Sequence, residues 1–210
     1  MQGLYPIIDV DTLDRQGLAY LDFAGAVLSV RPSIVQLRAK RMGARDTLAL
    51  LNALGPMARQ SGAKLYANDR PDLARLAGCD GVHLGQADLP AGEVRRCFPE
   101  LELGLSTHTL SELEAALEVR PTYIAYGPIF GTSSKENPET AVGLEGLAAA
   151  RRLLGGALPL VAIGGIDRSR LSAVRAHADL VAVIGALLGD GSDRGALERV
   201  AQEFQVALAS

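Results

Sequence analysis

Charged and hydroxyl residues gather at the ends of apolar runs in this chain, where a packed interior would not hold them. The stretch GPIFGTSSK, Gly127 to Lys135, leaves an apolar run and passes at once into three hydroxyl residues and a lysine. Hydroxyls and an ammonium need partners or water. The stretch is therefore either an idle surface turn or a cradle for an anion. A second run ends in QLRAK. Side chains alternate along a strand, which puts Gln36, Arg38 and Lys40 on one side and Leu37 and Ala39 on the other. Two cations and an amide suit an anion; a solvated strand end is the plain alternative. Asp69, in ANDR, and Asp88, in HLGQAD, close the next two runs. Two carboxylates beside cations suit Mg²⁺, which is held by one or two carboxylates together with substrate phosphate oxygens and water. Aspartate at such a place also serves as a helix cap or Asx-turn residue. Ser106 ends LGLS and can donate to a phosphate oxygen. His108, two residues on, is either a general acid or base or a helix-entry residue bonded to backbone. His83, inside GVHLG, reads as a strand residue satisfied by its neighbours. Gly164 and Gly165 end VAIGG, and Gly185 ends VAVIG. Glycine lets a backbone approach phosphate oxygens closely, and equally serves an ordinary tight turn.

These residues need elements to position them. Short apolar runs recur along the chain: LYPIIDV, SIVQLRA, KLYAN, DGVHLG, LELGLS, TYIAYGPIF, LPLVAIGG and DLVAVIG. Each has strand length, and most are apolar throughout, as strands buried on both faces are. Between them lie helical patterns. TLALLNALGPMARQ, after Asp46, carries leucines at helical spacing, and LSELEAALE places Ser111 three residues before Glu114, a capping-box spacing. LEGLAAARRLL and RGALERVAQEFQVALA repeat the 3.6-residue period. Eight strands alternating with helices in 210 residues predict one α/β domain over 1–210, a (β/α)8 barrel of the TIM type. Barrels do their chemistry at the C-terminal ends of the strands, and many bind a phosphate with the loops after strands seven and eight. Two anion regions follow. Arg38, Lys40, Asn68 and Ser106, with a metal on Asp69 and Asp88, suit a pyrophosphate. Gly165 and Gly185 suit a monophosphate. The GTSSK stretch follows strand six, between them, so Thr132 and Ser134 face the monophosphate and Lys135 reaches the pyrophosphate.

Composition narrows the classes. The formal net charge is −3 with no basic stripe, which argues against nucleic acid. Apolar residues make up 48% and charged residues 21%, ordinary for a soluble globular protein. The longest uncharged runs fall short of a bilayer span, and the first residues do not form a signal peptide. Cys79 and Cys97 read as reduced thiols, which predicts a cytoplasmic protein. No His/Cys group has zinc spacing.

The ordered set QLRAK, NDR, GVHLGQAD, GLSTHT, YGPIFGTSSK, GLEGL, VAIGGI and VAVIGALL resembles the thiamine phosphate synthases, also called thiamine-phosphate pyrophosphorylases, from Leu4 to about Leu188. HLGQAD and GPIFGTSSK are specific to that family, whereas AIGGI is common among phosphate-binding barrels. The resemblance implies a transferase of thiamine biosynthesis. It joins hydroxymethylpyrimidine pyrophosphate to thiazole phosphate and releases pyrophosphate. It implies that Gln36, Arg38, Lys40, Asn68, Ser106 and Lys135 contact the pyrimidine substrate, with Arg38, Lys40, Ser106 and Lys135 serving the chemistry. It implies Mg²⁺ on Asp69 and Asp88, and thiazole phosphate at Thr132, Ser134, Gly165, Ile184 and Gly185. Three positions depart from the family pattern. Ala39 stands where Glu or Asp is common, Gly131 where proline is frequent, and Gly185 where serine is usual. Two other readings are related thiazole tautomerases, which lack the metal pair and the hydroxyl-lysine loop, and a non-catalytic barrel that binds thiamine phosphates.

Overall fold

The computed structural model describes residues 1–131, 140–189 and 193–209. Its eight strands are β1 (Gly3–Asp9), β2 (Ile34–Arg38), β3 (Lys64–Asn68), β4 (Gly81–Leu84), β5 (Glu102–Thr107), β6 (Tyr123–Tyr126), β7 (Leu160–Ile163) and β8 (Leu180–Val183). They pair in sequence order, all parallel, and β1 pairs with β8 to close the barrel. Helices α1 (Val10–Gln16) and α2 (Tyr20–Leu28) together fill the first crossover. The next crossovers carry α3 (Ala44–Ser61), α4 (Pro71–Leu76), α5 (Ala91–Cys97) and α6 (Leu110–Leu117). The last two carry α7 (Gly143–Leu154) and α8 (Leu171–Arg175), and α9 (Arg194–Ala209) follows β8. The (β/α)8 barrel expected from the alternation of apolar runs and helical patterns is the observed fold. Among the described residues, no helix is long and apolar enough to cross a membrane.

Two local expectations shift. Helix α3 starts at Ala44, before Asp46, because Gly43 in an extended conformation opens it. The capping pair of α6 is not Ser111 with Glu114. Thr109 is the N-cap, and its hydroxyl accepts from Glu112 N. Glu112 reaches back to the N–H of His108, one residue before the cap, at 2.7 Å. The helix therefore begins two residues earlier than the Ser111 spacing predicts. Both free cysteines are present as thiols.

Strand alternation sorts the apolar residues into two cores. The outer one lies between strands and helices and takes Leu37, Val82, Leu103, Ile124 and their helical partners. The inner one fills the barrel with Tyr5, Ile7, Ile34, Tyr66, Tyr123, Ala125, Val161, Leu180 and Ala182. Barrel interiors are dominated by branched aliphatic side chains, and here three tyrosines share that space. Two glycines admit them. A Cβ at Gly81 would lie 2.5 Å from the Tyr66 ring, and one at Gly104 would overlap the Tyr123 ring. The rings of Tyr5 and Tyr123 meet edge to face with centroids 5.7 Å apart, a favoured aromatic geometry.

Candidate active site

The C-terminal ends of the strands surround a cavity of about 440 Å³, within the usual range for a small-molecule site. Each strand end contributes to it through the period-two alternation that also builds the inner core. Gln36 and Arg38 come from β2, with Lys40 just beyond, and Asn68 and Asp69 from the end of β3. Asp88 follows β4, Ser106 belongs to β5, Gly165 follows β7, and Ile184 and Gly185 follow β8. Every described residue that the sequence singled out for substrate or metal lies on this one cavity. Thr132, Ser134 and Lys135 lie outside the described residues. Ala39 faces away and packs against the outer core, so the missing carboxylate removes nothing from the cavity.

Arg38 is aimed by a residue that sequence reasoning passed over. Asp9, at the end of β1, is 2% exposed, and its Oδ2 lies 2.5 Å from Arg38 Nη1. The register pairs Asp9 with Arg38 across adjacent strands. The other oxygen of Asp9 accepts from Thr12 N at 2.9 Å and so caps α1. The carboxylate near the end of LYPIIDV was the visible signal; its pairing across the barrel was not.

Lys40 forms an ion pair with Asp69. Asp69 has φ 63, the left-handed region that Asp tolerates better than most residues but still at a cost. It does not cap α4, whose N-cap is Arg70. Its N–H donates to His83 O at 2.8 Å, which holds the turn. Its carboxyl group meets that of Asp88. Burial, then the neighbouring Asp88, push the Asp69 carboxyl up to about 6, although Lys40 pulls the other way. Asp88 accepts from Gly85 N at 2.7 Å. Two hard oxygen donors held together against their repulsion fit a divalent cation. Among the described residues no group of three His, Cys, Asp or Glu side chains could hold a metal. Two carboxylates are a donor set compatible with Mg²⁺, which takes one or two carboxylates and completes its shell with water and substrate oxygens.

The opposite wall is backbone. Gly164 and Gly165 have φ of 102° and 62°, conformations open to glycine. A Cβ on Gly165 would come within 2.9 Å of Phe130 Cβ. The segment after β6 lies flat on this turn: Ile129 N donates to Ile163 O at 2.9 Å and Phe130 N to Gly164 O at 3.0 Å. Arg170 clamps both loops. Its Nη1 lies 2.5 Å from Gly165 O, and its guanidinium stands 4.5 Å from the Phe130 ring centre. Gly185 opens a short 3₁₀ turn, Gly185–Leu187. His108 also reaches the cavity, but its Nδ1 lies 2.5 Å from Gly127 O, the backbone bond expected of a helix-entry residue. His83 bonds Ser106 and Tyr123.

The family model "Thiamine monophosphate synthase" matches residues 4–187. A thiamine-phosphate synthase of Koribacter versatilis is 43% identical over 199 residues, covering 91% of each chain. One from Methanoculleus marisnigri is 36% identical over 208 residues, covering 98% of this chain and 97% of its own. The solved structure of thiamine phosphate pyrophosphorylase from Pyrococcus furiosus superposes with a TM-score of 0.80 at 28% identity, covering 99% of this chain and 97% of that one. With a cationic wall, a carboxylate pair and a glycine-built wall already converging on one cavity, this chain belongs to the thiamine monophosphate synthase family of transferases.

Proposed function

We propose that the cavity binds hydroxymethylpyrimidine pyrophosphate and thiazole phosphate together and joins them with release of pyrophosphate. The observation that carries this reading is the continuity of the site. The cationic wall of Arg38 and Lys40 and the glycine wall of Gly165 and Gly185 open into the same space. A pyrophosphate and a monophosphate can therefore each find a wall while their carriers meet between them.

In this reading the bond from the pyrimidine methylene carbon to the pyrophosphate oxygen breaks, and its electron pair leaves with the pyrophosphate. The thiazole nitrogen then supplies the pair for the new carbon–nitrogen bond. No protein nucleophile takes part. Arg38, Lys40, Asn68, Ser106 and Lys135 hold the leaving group and stabilise the negative charge that grows on it. Asp9 keeps the Arg38 guanidinium on the cavity wall in advance, so little reorganisation is needed when that charge appears. Gln36 orients the pyrimidine. Thr132, Ser134, Gly165, Ile184 and Gly185 hold the thiazole phosphate, which brings the nitrogen in line with the carbon. Mg²⁺ on Asp69 and Asp88, when bound, adds positive charge beside the departing pyrophosphate.

The test is pyrophosphate release from the two substrates, each alone and both together, with Mg²⁺ or excess chelator. Release that requires both substrates and Mg²⁺ is the expected result. No release from the pair would sink the reaction, and release unchanged by chelator would sink the metal.

A further inference from the structure

A file of hydrogen bonds crosses the barrel interior beneath the cavity. Gln36 Nε2 lies 2.7 Å from Tyr5 OH, and Tyr5 OH lies 2.7 Å from Tyr123 OH. Tyr123 OH lies 2.8 Å from His83 Nδ1, and His83 Nε2 lies 2.8 Å from Ser106 Oγ. Five strands contribute one member each. Tyr5 and Tyr123 are 1% and 0% exposed, and Gln36 and His83 are buried. The His83 and Tyr123 rings also stack, 12° from parallel. Gln36, Tyr5, His83 and Ser106 reach the cavity wall, and Tyr123 is buried behind them.

The chemistry of the members fixes the direction of the file. An amide nitrogen only donates, so the Tyr5 oxygen accepts from Gln36. The Tyr5 proton then goes to the Tyr123 oxygen, and the Tyr123 proton to His83 Nδ1. A ring nitrogen that accepts carries no proton, so the ring proton of His83 sits on Nε2 and donates to Ser106 Oγ. The hydroxyl proton of Ser106 is left for the cavity. The reverse order fails. The Nδ1–H tautomer, or an imidazolium, would donate from Nδ1 to the Tyr123 oxygen and turn the Tyr123 proton toward Tyr5. The Tyr5 proton would then face a second donor, an unmade bond in a buried place. Burial pushes the pKa of both phenols up, so they remain hydroxyls able to pass the order along.

We infer that Tyr5, Tyr123 and His83 are positioning residues that hold His83 as the Nε2–H tautomer and so present Ser106 to the substrate as a hydrogen-bond donor. This deepens the proposed function and rests on it only for the identity of the acceptor, an oxygen of the pyrimidine pyrophosphate. Such a donor is preorganised, because its alternatives are closed by buried bonds rather than by the ligand. Ser106 is then committed to acceptor-rich ligands before any ligand arrives.

The experiment has two arms. The first uses the whole unliganded protein labelled with ¹⁵N-histidine. With only three histidines in the chain, a His83→Gln variant assigns the His83 signals. Long-range proton–nitrogen spectra should show Nε2 protonated and Nδ1 bare. A protonated Nδ1 would overturn the inference, whatever the enzyme does. The second arm uses Tyr123→Phe, which removes the donor to Nδ1 and nearly keeps the shape. Pyrophosphate release should fall about tenfold in kcat, with KM for thiazole phosphate unchanged. In a Ser106→Ala background the same change should cost nothing further. An equal fall in that background would make Tyr123 a structural residue only and overturn the positioning role. A wild-type protein that releases no pyrophosphate would instead sink the proposed function, and the nitrogen spectrum would still decide the tautomer.

Discussion

Gly185→Ser tests the monophosphate wall with a perturbation whose structural cost is readable in advance. A Cβ at position 185 meets nothing within 4 Å. The residue is absent from the positive-φ glycines, so no left-handed strain arises. The change should alter stability by less than about 0.5 kcal/mol, as surface substitutions usually do. For a chain of this size that is a shift in Tm of no more than about 2 °C. The gain is a hydroxyl beside the proposed thiazole phosphate. A hydrogen bond to a charged group contributes about 1.5 kcal/mol net, which is close to tenfold in affinity. Calorimetric titration with thiazole phosphate and scanning calorimetry should be run on the same preparations. The expected result is binding about tenfold tighter at unchanged Tm. Gly165→Ala supplies the contrast, since φ is 62° there and the new Cβ would come 2.9 Å from Phe130 Cβ. It should lower Tm by at least about 2–4 °C and weaken thiazole phosphate binding. Unchanged affinity in Gly185→Ser would place the phosphate elsewhere and refute the reasoning.

Two further outcomes follow from the carboxylates. The Asp69 carboxyl is raised to about 6 by burial and by Asp88. The folded state therefore holds its proton more tightly than the unfolded chain does. That contribution to stability is full below pH 4 and is lost as pH rises through about 6. After discount for solvent screening it is on the order of 1 kcal/mol. In chelator, Asp88→Asn should flatten this loss and raise Tm near pH 7; an unchanged Tm–pH profile would remove the carboxylate contact as its cause. Asp9→Asn keeps the cap on α1, since Asn caps as well as Asp, but leaves Arg38 without its buried counter-charge. It should lower Tm, and inorganic pyrophosphate should raise the Tm of the variant more than that of the wild type; equal shifts would mean that Arg38 does not face the anion.

The order of apolar runs, the polar residues that close them and the glycines after the last two were legible in the linear chain. Strand alternation follows from local geometry alone, so Gln36, Arg38 and Lys40 could be assigned to one side and Ala39 to the other before any contact was known. The barrel rule then placed all of these at one end. What the chain did not reveal are pairings between residues far apart in sequence. Asp9 meets Arg38 only because parallel register sets them side by side. The file from Gln36 to Ser106 needs five strands closed into a ring, and its tyrosines fit only where Gly81 and Gly104 leave room. The same holds for Asp69, whose left-handed turn and shared space with Asp88 arise from adjacent strand ends. Residue type and period are local properties and survive in the sequence. Charge partners, proton positions and the crowding that shifts a carboxyl depend on distances across the barrel, and only the closed sheet decides those.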